Sequence, residues 1–188
     1  MGRLAGTKLG TLVLRDLSVR QAAAFYEHLD RNRDLYVDFI PFVSKTHDVQ
    51  SLRRTIERNL RRQRRGLAEF YTLWSRDKMA GYFLIREKDA QARWAEIGYM
   101  LDRDWQRQGI TTRICTLLIE DLFNHEGFEK IVLVCTDDNT ASIAVGRKLG
   151  FAIEGNLKRH VVVNGRIRNL LYMGLFRSEW TLQTRPST

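Results

Sequence analysis

The chain has 188 residues, a formal net charge of +9 from 31 Lys and Arg against 22 Asp and Glu, and 44% hydrophobic residues. One domain spanning 1–188, with a substantial core, fits that length. No run of 18 apolar residues and no secretory leader is present, which argues against a membrane span and makes the cytoplasm the expected location.

The segment 9–17 alternates well enough for a first strand. Ser18 caps a helix over 19–29 with Ala22, Phe25, Tyr26 and Leu29 inward. The apolar, proline-broken stretch 38–43 reads as a loop or short helix that walls a cleft. Asp48 caps the next helix, which carries Val49, Leu52, Ile56 and Leu60 on one stripe and ends at Gly66. Its other faces carry Arg53, Arg54, Arg58, Arg61, Arg62, Arg64 and Arg65, and such a run is ordinarily a solvated face.

Strands over 69–75 and 79–88 follow, joined by a polar turn at 76–78. A strand over 92–101 leads into a polar turn at 105–112, and a helix with Ile110, Ile114, Leu117, Leu118 and Leu122 at helical spacing runs to about Asn124. After Gly127 the apolar strand 130–136 completes a β-α-β unit, so its two strands are expected parallel with a right-handed crossover. Asp138 or Asn139 starts a short helix stopped at Gly150. A strand over 151–163, kinked at Gly155, turns at Asn164-Gly165 into a last strand over 167–176. The tail from Thr181 is polar and expected to fray.

Cys115 and Cys135 lack metal-ligand spacing and read as reduced core residues, and the four histidines are scattered, so no metal is expected. The positive charge attracts anions. Nucleic acid, an anionic cofactor and an acidic protein partner are the options, beside a genome that simply favours Arg over Lys.

The turn at 105–112 is the stretch on which a function can be built. A strand that turns directly into a helix leaves the first N–H groups of that helix unpaired, at the positive end of its dipole, where a phosphate or pyrophosphate fits. Gly109 removes a Cβ where a ligand approaches the backbone. Arg107 adds a cation, and Thr111 and Thr112 add small hydroxyls. A Walker loop or a dinucleotide fingerprint is excluded, because neither Gly-Lys-Ser/Thr nor three spaced glycines is present.

Gln106-x-x-Gly109-x-Thr111 resembles the Gln/Arg-x-x-Gly-x-Gly/Ala signature of the GNAT acetyltransferases, with Thr in the last small position. Asn139-Thr-Ala-Ser142, followed by a short helix and Gly150-Phe151, resembles the second motif of that family. The segments 9–15, Glu96-Ile-Gly-Tyr99 and Phe151-x-x-Glu-Gly155, with the closing hairpin, look most like its RimJ/RimL branch, and the likeness covers nearly the whole chain. It implies an α/β fold: a single mixed, largely antiparallel twisted sheet with a central β-α-β acetyl-CoA-binding unit and flanking helices. It implies acetyl-CoA as donor, its pyrophosphate on the N–H groups of Gln106, Arg107, Gln108, Gly109, Ile110, Thr111 and Thr112. The pantetheine would lie between the splayed parallel strands, on backbone near Met100 and Leu101 and against Asn139. A bulge at Gly98, which interrupts its strand, would open that gap.

Acetyl transfer needs a proton removed from the attacking amine and a departing thiolate stabilised. The resemblance makes Ser142 the donor to the leaving sulfur, against a plain capping hydroxyl. Glu96 is the candidate base, against an exposed structural glutamate. In some RimL-like enzymes a Glu stands where this chain has Val161, a departure that weakens direct transfer of their mechanism and acceptor preference to this chain. The neighbouring His160 faces the opposite side of the strand and is no simple replacement.

The expected acceptor is a protein N-terminal amine, with a small amine, including an antibiotic in self-resistance, as the alternative. A catalytically silent CoA-binding module is an alternative of another class. Nucleic acid has only the arginines behind it, without stacking aromatics or a binding motif. No membrane contact is expected, and monomer and homodimer both remain open.

Overall fold

The computed structural model describes residues 2–184, with the side chains of 181–184 left aside. Its strands are β1 (Lys8–Leu9), β2 (Leu12–Asp16), β3 (Glu69–Ser75), β4 (Lys78–Asp89), β5 (Trp94–Leu101), β6 (Lys130–Thr136), β7 (Ala152–Val163) and β8 (Arg166–Phe176). They form one sheet in the order β1-β2-β3-β4-β5-β6-β8-β7. Among the described residues only β5 and β6 pair in parallel. The cause is their connection: a helix lies between them, whereas tight turns join β3 to β4 and β7 to β8. In the β7–β8 turn Asn164 and Gly165 both take positive φ, 48° and 72°, as a primed two-residue hairpin requires.

The helices are α1 (Ala22–Arg31), α2 (Arg33–Tyr36), α3 (Pro41–Ser44), α4 (Val49–Arg64), α5 (Ile110–Asn124), α6 (Thr140–Lys148) and α7 (Arg177–Thr184). Asp48 caps α4 through a bond from the Ser51 N–H at 2.6 Å. On one face of the sheet α5 packs Ile114, Leu118 and Leu122 against Ile85, Ile97 and Leu133. On the other, α1 and α4 pack Phe25, Leu29, Leu52 and Ile56 against Phe70, Tyr82 and Met100. The alternation along β5 thus divides Ile97 and Leu101 from Met100, one face for each layer. Among the described residues no helix is long and apolar enough to cross a membrane.

Several local expectations are corrected. The strand expected over 9–17 is two strands, because Gly10 at φ 63° turns β1 into β2. The helix expected from Val19 opens as a 3₁₀ turn over Val19–Gln21, where Ser18 and Gln21 cap each other, and becomes α1 only at Ala22. Leu117 is only half-buried, and Cys115 and Ile119 fill the α5 stripe instead. Gly98 carries no bulge: it pairs in register with Leu84, and the shift falls on β4 between Ile85 and Glu87. The kink expected at Gly155 is two irregularities of β7, between Ile153 and Gly155 and between Leu157 and Val161. α7 runs to Thr184, into the polar tail that begins at Thr181; the remainder of the tail, 185–188, lies outside the described residues.

Candidate active site

Parallel pairing of β5 and β6 runs from Trp94↔Lys130 to Ile97↔Leu133 and stops there. Beyond it β5 stays bonded to β4 up to Leu101, and β6 stays bonded to β8 up to Thr136. Each strand therefore keeps its outer partner while their facing edges part. The main-chain groups along that gap are suited to a ligand that lies down as an extra strand. Gly81 keeps β4 close to this edge: a Cβ there would stand 2.8 Å from the Met100 carbonyl oxygen.

The cradle follows from the end of β5. Gly109 precedes α5 in the left-handed conformation, φ 71°, and no side chain caps the helix. The first helical bond runs from the Arg113 N–H to the Gly109 carbonyl at 3.0 Å. Among the described residues, the N–H groups of Ile110, Thr111 and Thr112 have no backbone acceptor, which leaves donors and dipole for an anion. Arg107, also at positive φ (60°), lines the same space. Gln106 does something the sequence did not reveal. Its side-chain amide donates to the Leu101 carbonyl at 3.1 Å and ties the loop to the strand end. Gln108 is not among the lining residues; its side chain bonds back to the Asp104 carbonyl at 3.0 Å.

Across the gap, Asn139 caps α6 by accepting from the Ser142 N–H at 3.1 Å. α6 sits close to the sheet because Gly146 faces it, where a Cβ would stand 3.0 Å from Leu133 and from Met173. Ser142 is half-buried and lines the cavity. The Tyr99 hydroxyl donates to its carbonyl at 3.5 Å. Burial first, then the neighbouring Cys115, push the Tyr99 hydroxyl well above its ordinary pKa, so it stays protonated as a donor. Burial, with Asp137 beside it, pushes the Cys135 thiol up to about 11. That thiol is therefore a poor nucleophile at neutral pH.

Gap, cradle and α6 open into one cavity of about 940 Å³, ample for a small-molecule ligand. Met100, Leu101, Gln106, Arg107, Gly109, Ile110, Thr111, Thr112, Asn139 and Ser142 all line it, so the structure brings together what the sequence had proposed apart from Gln108 and Glu96. The far half is walled by Tyr36, Phe39 and Phe42 near the proline-broken stretch, and by Thr55, Arg58, Asn59 and Arg62 of α4.

Glu96 is neither exposed nor on the lining. Its side chain is 13% accessible and its carboxylate lies 3.1 Å from Arg86 Nε, and Arg86 does line the cavity. Burial raises its pKa against the opposing pull of Arg86. Val161 lies in β7 beside the second irregularity, and His160 is exposed.

Behind the far wall stands a polar network that the sequence did not announce. The buried Asp102 accepts from Arg31 Nε at 2.9 Å and from Asn32 Nδ2 at 3.0 Å. His28 Nδ1 lies 3.3 Å from the Met79 carbonyl and 3.7 Å from Asp102, and its Nε2 lies 3.2 Å from the Tyr36 hydroxyl. Burial pushes the Asp102 carboxyl up. Hydrogen bonds from His28, the Asp104 N–H, Arg31 and Asn32 outweigh that and hold it well below the usual carboxylate range. Among the described residues no three His, Cys, Asp or Glu side chains group to hold a metal ion.

Comparison with known proteins agrees with this geometry. The family model described as acetyltransferase (GNAT) domain matches residues 11–152. The ribosomal-protein-serine acetyltransferase of Escherichia coli (strain K12) is 25% identical, over 82% of this chain and 86% of its own length. Among solved structures, RimL, a ribosomal L7/L12 alpha-N-protein acetyltransferase in complex with coenzyme A, superposes with a TM-score of 0.86 at 24% identity. It covers 93% of this chain and 98% of that one. The microcin C7 self immunity acetyltransferase MccE, in complex with acetyl-CoA and AMP, has a TM-score of 0.82 at 21% identity, covering 92% and 98%. The two likenesses show the fold and say nothing by themselves about the acceptor.

Proposed function

Because the chain belongs to the GNAT acetyltransferase family, with its match over residues 11–152, we propose that this acetyl-CoA-dependent N-acetyltransferase takes a protein N-terminal α-amine as acceptor. One observation carries the reading: the cradle, the parted strands and Ser142 open into the same cavity as an aromatic and arginine-bearing second half. A donor held along the parted strand edges would present its thioester where an amine can enter from that half. The relationship to a ribosomal-protein-serine acetyltransferase, over most of both chains, supports a polypeptide acceptor. The reading carries with it a cytoplasmic site of action, and the arginines of α4 suit an acidic protein partner.

In the reaction we assign, the pyrophosphate of acetyl-CoA rests on the N–H groups at the start of α5, with Arg107 beside it. The pantetheine lies along the parted edge near Met100 and Leu101, against Asn139. A neutral amine attacks the thioester carbon within the ternary complex. Its N–H proton leaves to Glu96 through water, since that carboxylate stands just behind the lining and its raised pKa makes it a better base than an ordinary carboxylate. The C–S bond then breaks, and the Ser142 hydroxyl donates a hydrogen bond to the departing thiolate. An acyl-cysteine route is disfavoured, because the cavity-lining Cys135 keeps its proton at neutral pH.

Release of thiol from acetyl-CoA, followed by mass spectrometry of the acceptor, tests the assignment on N-terminal peptides and small amines. Acetylation at the α-amine of peptides is the expected result. Turnover of small amines alone transfers the reading to a small-amine enzyme. Binding of acetyl-CoA without turnover on a broad panel returns a silent CoA-binding module.

A further inference from the structure

The arginines of α4 are not one solvated face. Thr55, Arg58, Asn59 and Arg62 stand at the i, i+3, i+4, i+7 spacing of a single helical stripe, beside the buried stripe of Leu52 and Ile56, and all four line the far half of the cavity. Arg53, Arg54, Arg61, Arg64 and Arg65 do not line it; of the two that do, Arg62 is half-buried and Arg58 is exposed. Asn59 is held by its bond to the Tyr82 hydroxyl at 3.2 Å, which fixes the stripe against β4. Arg86 reaches the same wall from β4.

Of the charges on this wall, Arg86 is paired with Glu96, while Arg58 and Arg62 form no ion pair among the described residues. Among the described residues, Arg58 and Arg62 have no carboxylate within ion-pair distance. No carboxylate is among the described lining residues; Glu96, off the lining, pairs with Arg86 at 3.1 Å, and Asp38 accepts from Asn164 at 3.0 Å and lies 3.8 Å from Arg168. Arginines that share a cavity lining with aromatic Phe39 and Phe42 suit a ligand that carries both apolar and anionic groups.

We infer that Arg58 and Arg62 select acceptors carrying an acidic side chain within the first few residues after the acetylated amine. This rests on the peptide-acceptor reading above. The donor occupies the cradle half, so an entering N-terminus runs its following residues past the α4 stripe. A carboxylate there meets two forked guanidiniums that form no ion pair among the described residues, with Glu96 acting on Arg62 only at longer range. The same charges repel a basic residue at that place, so discrimination works in both directions.

The test compares heptapeptides with a free N-terminus that differ only in glutamate, glutamine or lysine at positions two to four. For the wild-type enzyme, kcat/KM for the glutamate peptide should exceed that for the glutamine peptide by at least about fivefold, an exposed to half-buried ion pair being modest. The ratio should shrink with added salt. In Arg58→Gln/Arg62→Gln it should fall to about one, and in Arg58→Glu/Arg62→Glu the lysine peptide should become the preferred one. Arg54→Gln/Arg61→Gln, of equal charge change on the outer face, should keep the wild-type ratio. Thermal melting and acetyl-CoA calorimetry establish that each variant is folded and binds donor. Equal rates on the three peptides in the wild type overturn the inference while leaving the peptide acceptor in place. A ratio that survives in Arg58→Gln/Arg62→Gln, or falls equally in the outer-face variant, overturns the assignment to this stripe. Turnover of small amines with none of any peptide overturns instead the reading on which it rests.

Discussion

The Tyr99 hydroxyl donates to the Ser142 carbonyl across the gap between β5 and α6, 3.5 Å away. The bond joins the two parted elements at the place where the thioester would lie. Its length makes it weak, and the Ser142 side chain remains free to serve the leaving sulfur. Ser142→Ala should lower kcat by roughly 10²–10⁴-fold if proton transfer is coupled to thiolate departure, with acetyl-CoA affinity little changed. Tyr99→Phe removes only an orienting contact and should cost no more than about tenfold. Steady-state kinetics at saturating substrates separates them. A full kcat in Ser142→Ala reduces that hydroxyl to a bystander of the helix start.

Gly109 separates two ways a substitution can act. Nothing lies within 4 Å of a Cβ built there, so no protein atom is displaced. A β-branched residue must nonetheless adopt φ 71°, at a cost of about 1–2 kcal/mol. Gly109 lines the cavity at the start of α5, so an added side chain competes for the space where the pyrophosphate would rest. Gly109→Val should therefore lower stability slightly and weaken acetyl-CoA binding severely. Calorimetry on the folded variant decides it, and near-native affinity would remove the cradle.

These two sites also mark what the sequence could and could not disclose. The cradle was legible because it is local: a strand, a glycine and an amphipathic helix follow one another within twenty residues. The Asn164-Gly165 hairpin and the parallel β5–β6 pair were legible for the same reason. Glu96 was legible as a residue type on the right strand, and its surroundings were not. Its burial and its partner Arg86 depend on β4 lying alongside with an extra residue between Ile85 and Glu87. The sequence looked for that bulge at Gly98, where a glycine is conspicuous; the register shift instead falls among ordinary residues. Tyr99 was missed because alternation assigns it to the face opposite Glu96 and Met100, and its partner is forty-three residues away. The division of the α4 arginines into an inner stripe and an outer face needed the position of Asn59 against Tyr82.

Glu96 yields a prediction in pH. Its pKa is raised, chiefly by burial, and Arg86 opposes the rise. A base in this position works only as carboxylate, so kcat/KM should climb with pH through a value above the ordinary glutamate range. Arg86→Gln removes the opposing charge and should move that limb to higher pH. Glu96→Gln should abolish the limb and lower kcat/KM by at least about tenfold. Profiles measured with an acceptor of low amine pKa keep the acceptor's own ionisation out of the window. A limb unmoved by either substitution would assign the proton to water alone.

Asp102 predicts an acid limit to stability that also reaches the acceptor site. Its folded pKa is depressed, so the carboxylate stabilises the fold fully above its unfolded value of about 3.9 and loses that contribution as pH falls below it. Asp102→Asn removes the charge but leaves Arg31, His28 and Asn32 pointing at the site, which should cost about 3 kcal/mol near neutrality. Urea unfolding at neutral pH and near pH 3.5 checks the sign: the gap between wild type and variant should shrink in acid. A gap of constant size would mean that shape, not charge, makes the difference. The network has a second consequence through Tyr36, whose hydroxyl lies 3.2 Å from His28 Nε2 while the residue lines the far half of the cavity. Loosening Asp102 releases His28 and with it that wall. Asp102→Asn should therefore raise the acceptor KM while leaving acetyl-CoA affinity near the wild-type value, since among the described residues the cradle side chains take no bond from this cluster and an asparagine Oδ1 can still accept from the Asp104 N–H that leads into the cradle. Equal losses for donor and acceptor would instead mark a general collapse of the end of β5, where Asp102 follows directly on Leu101.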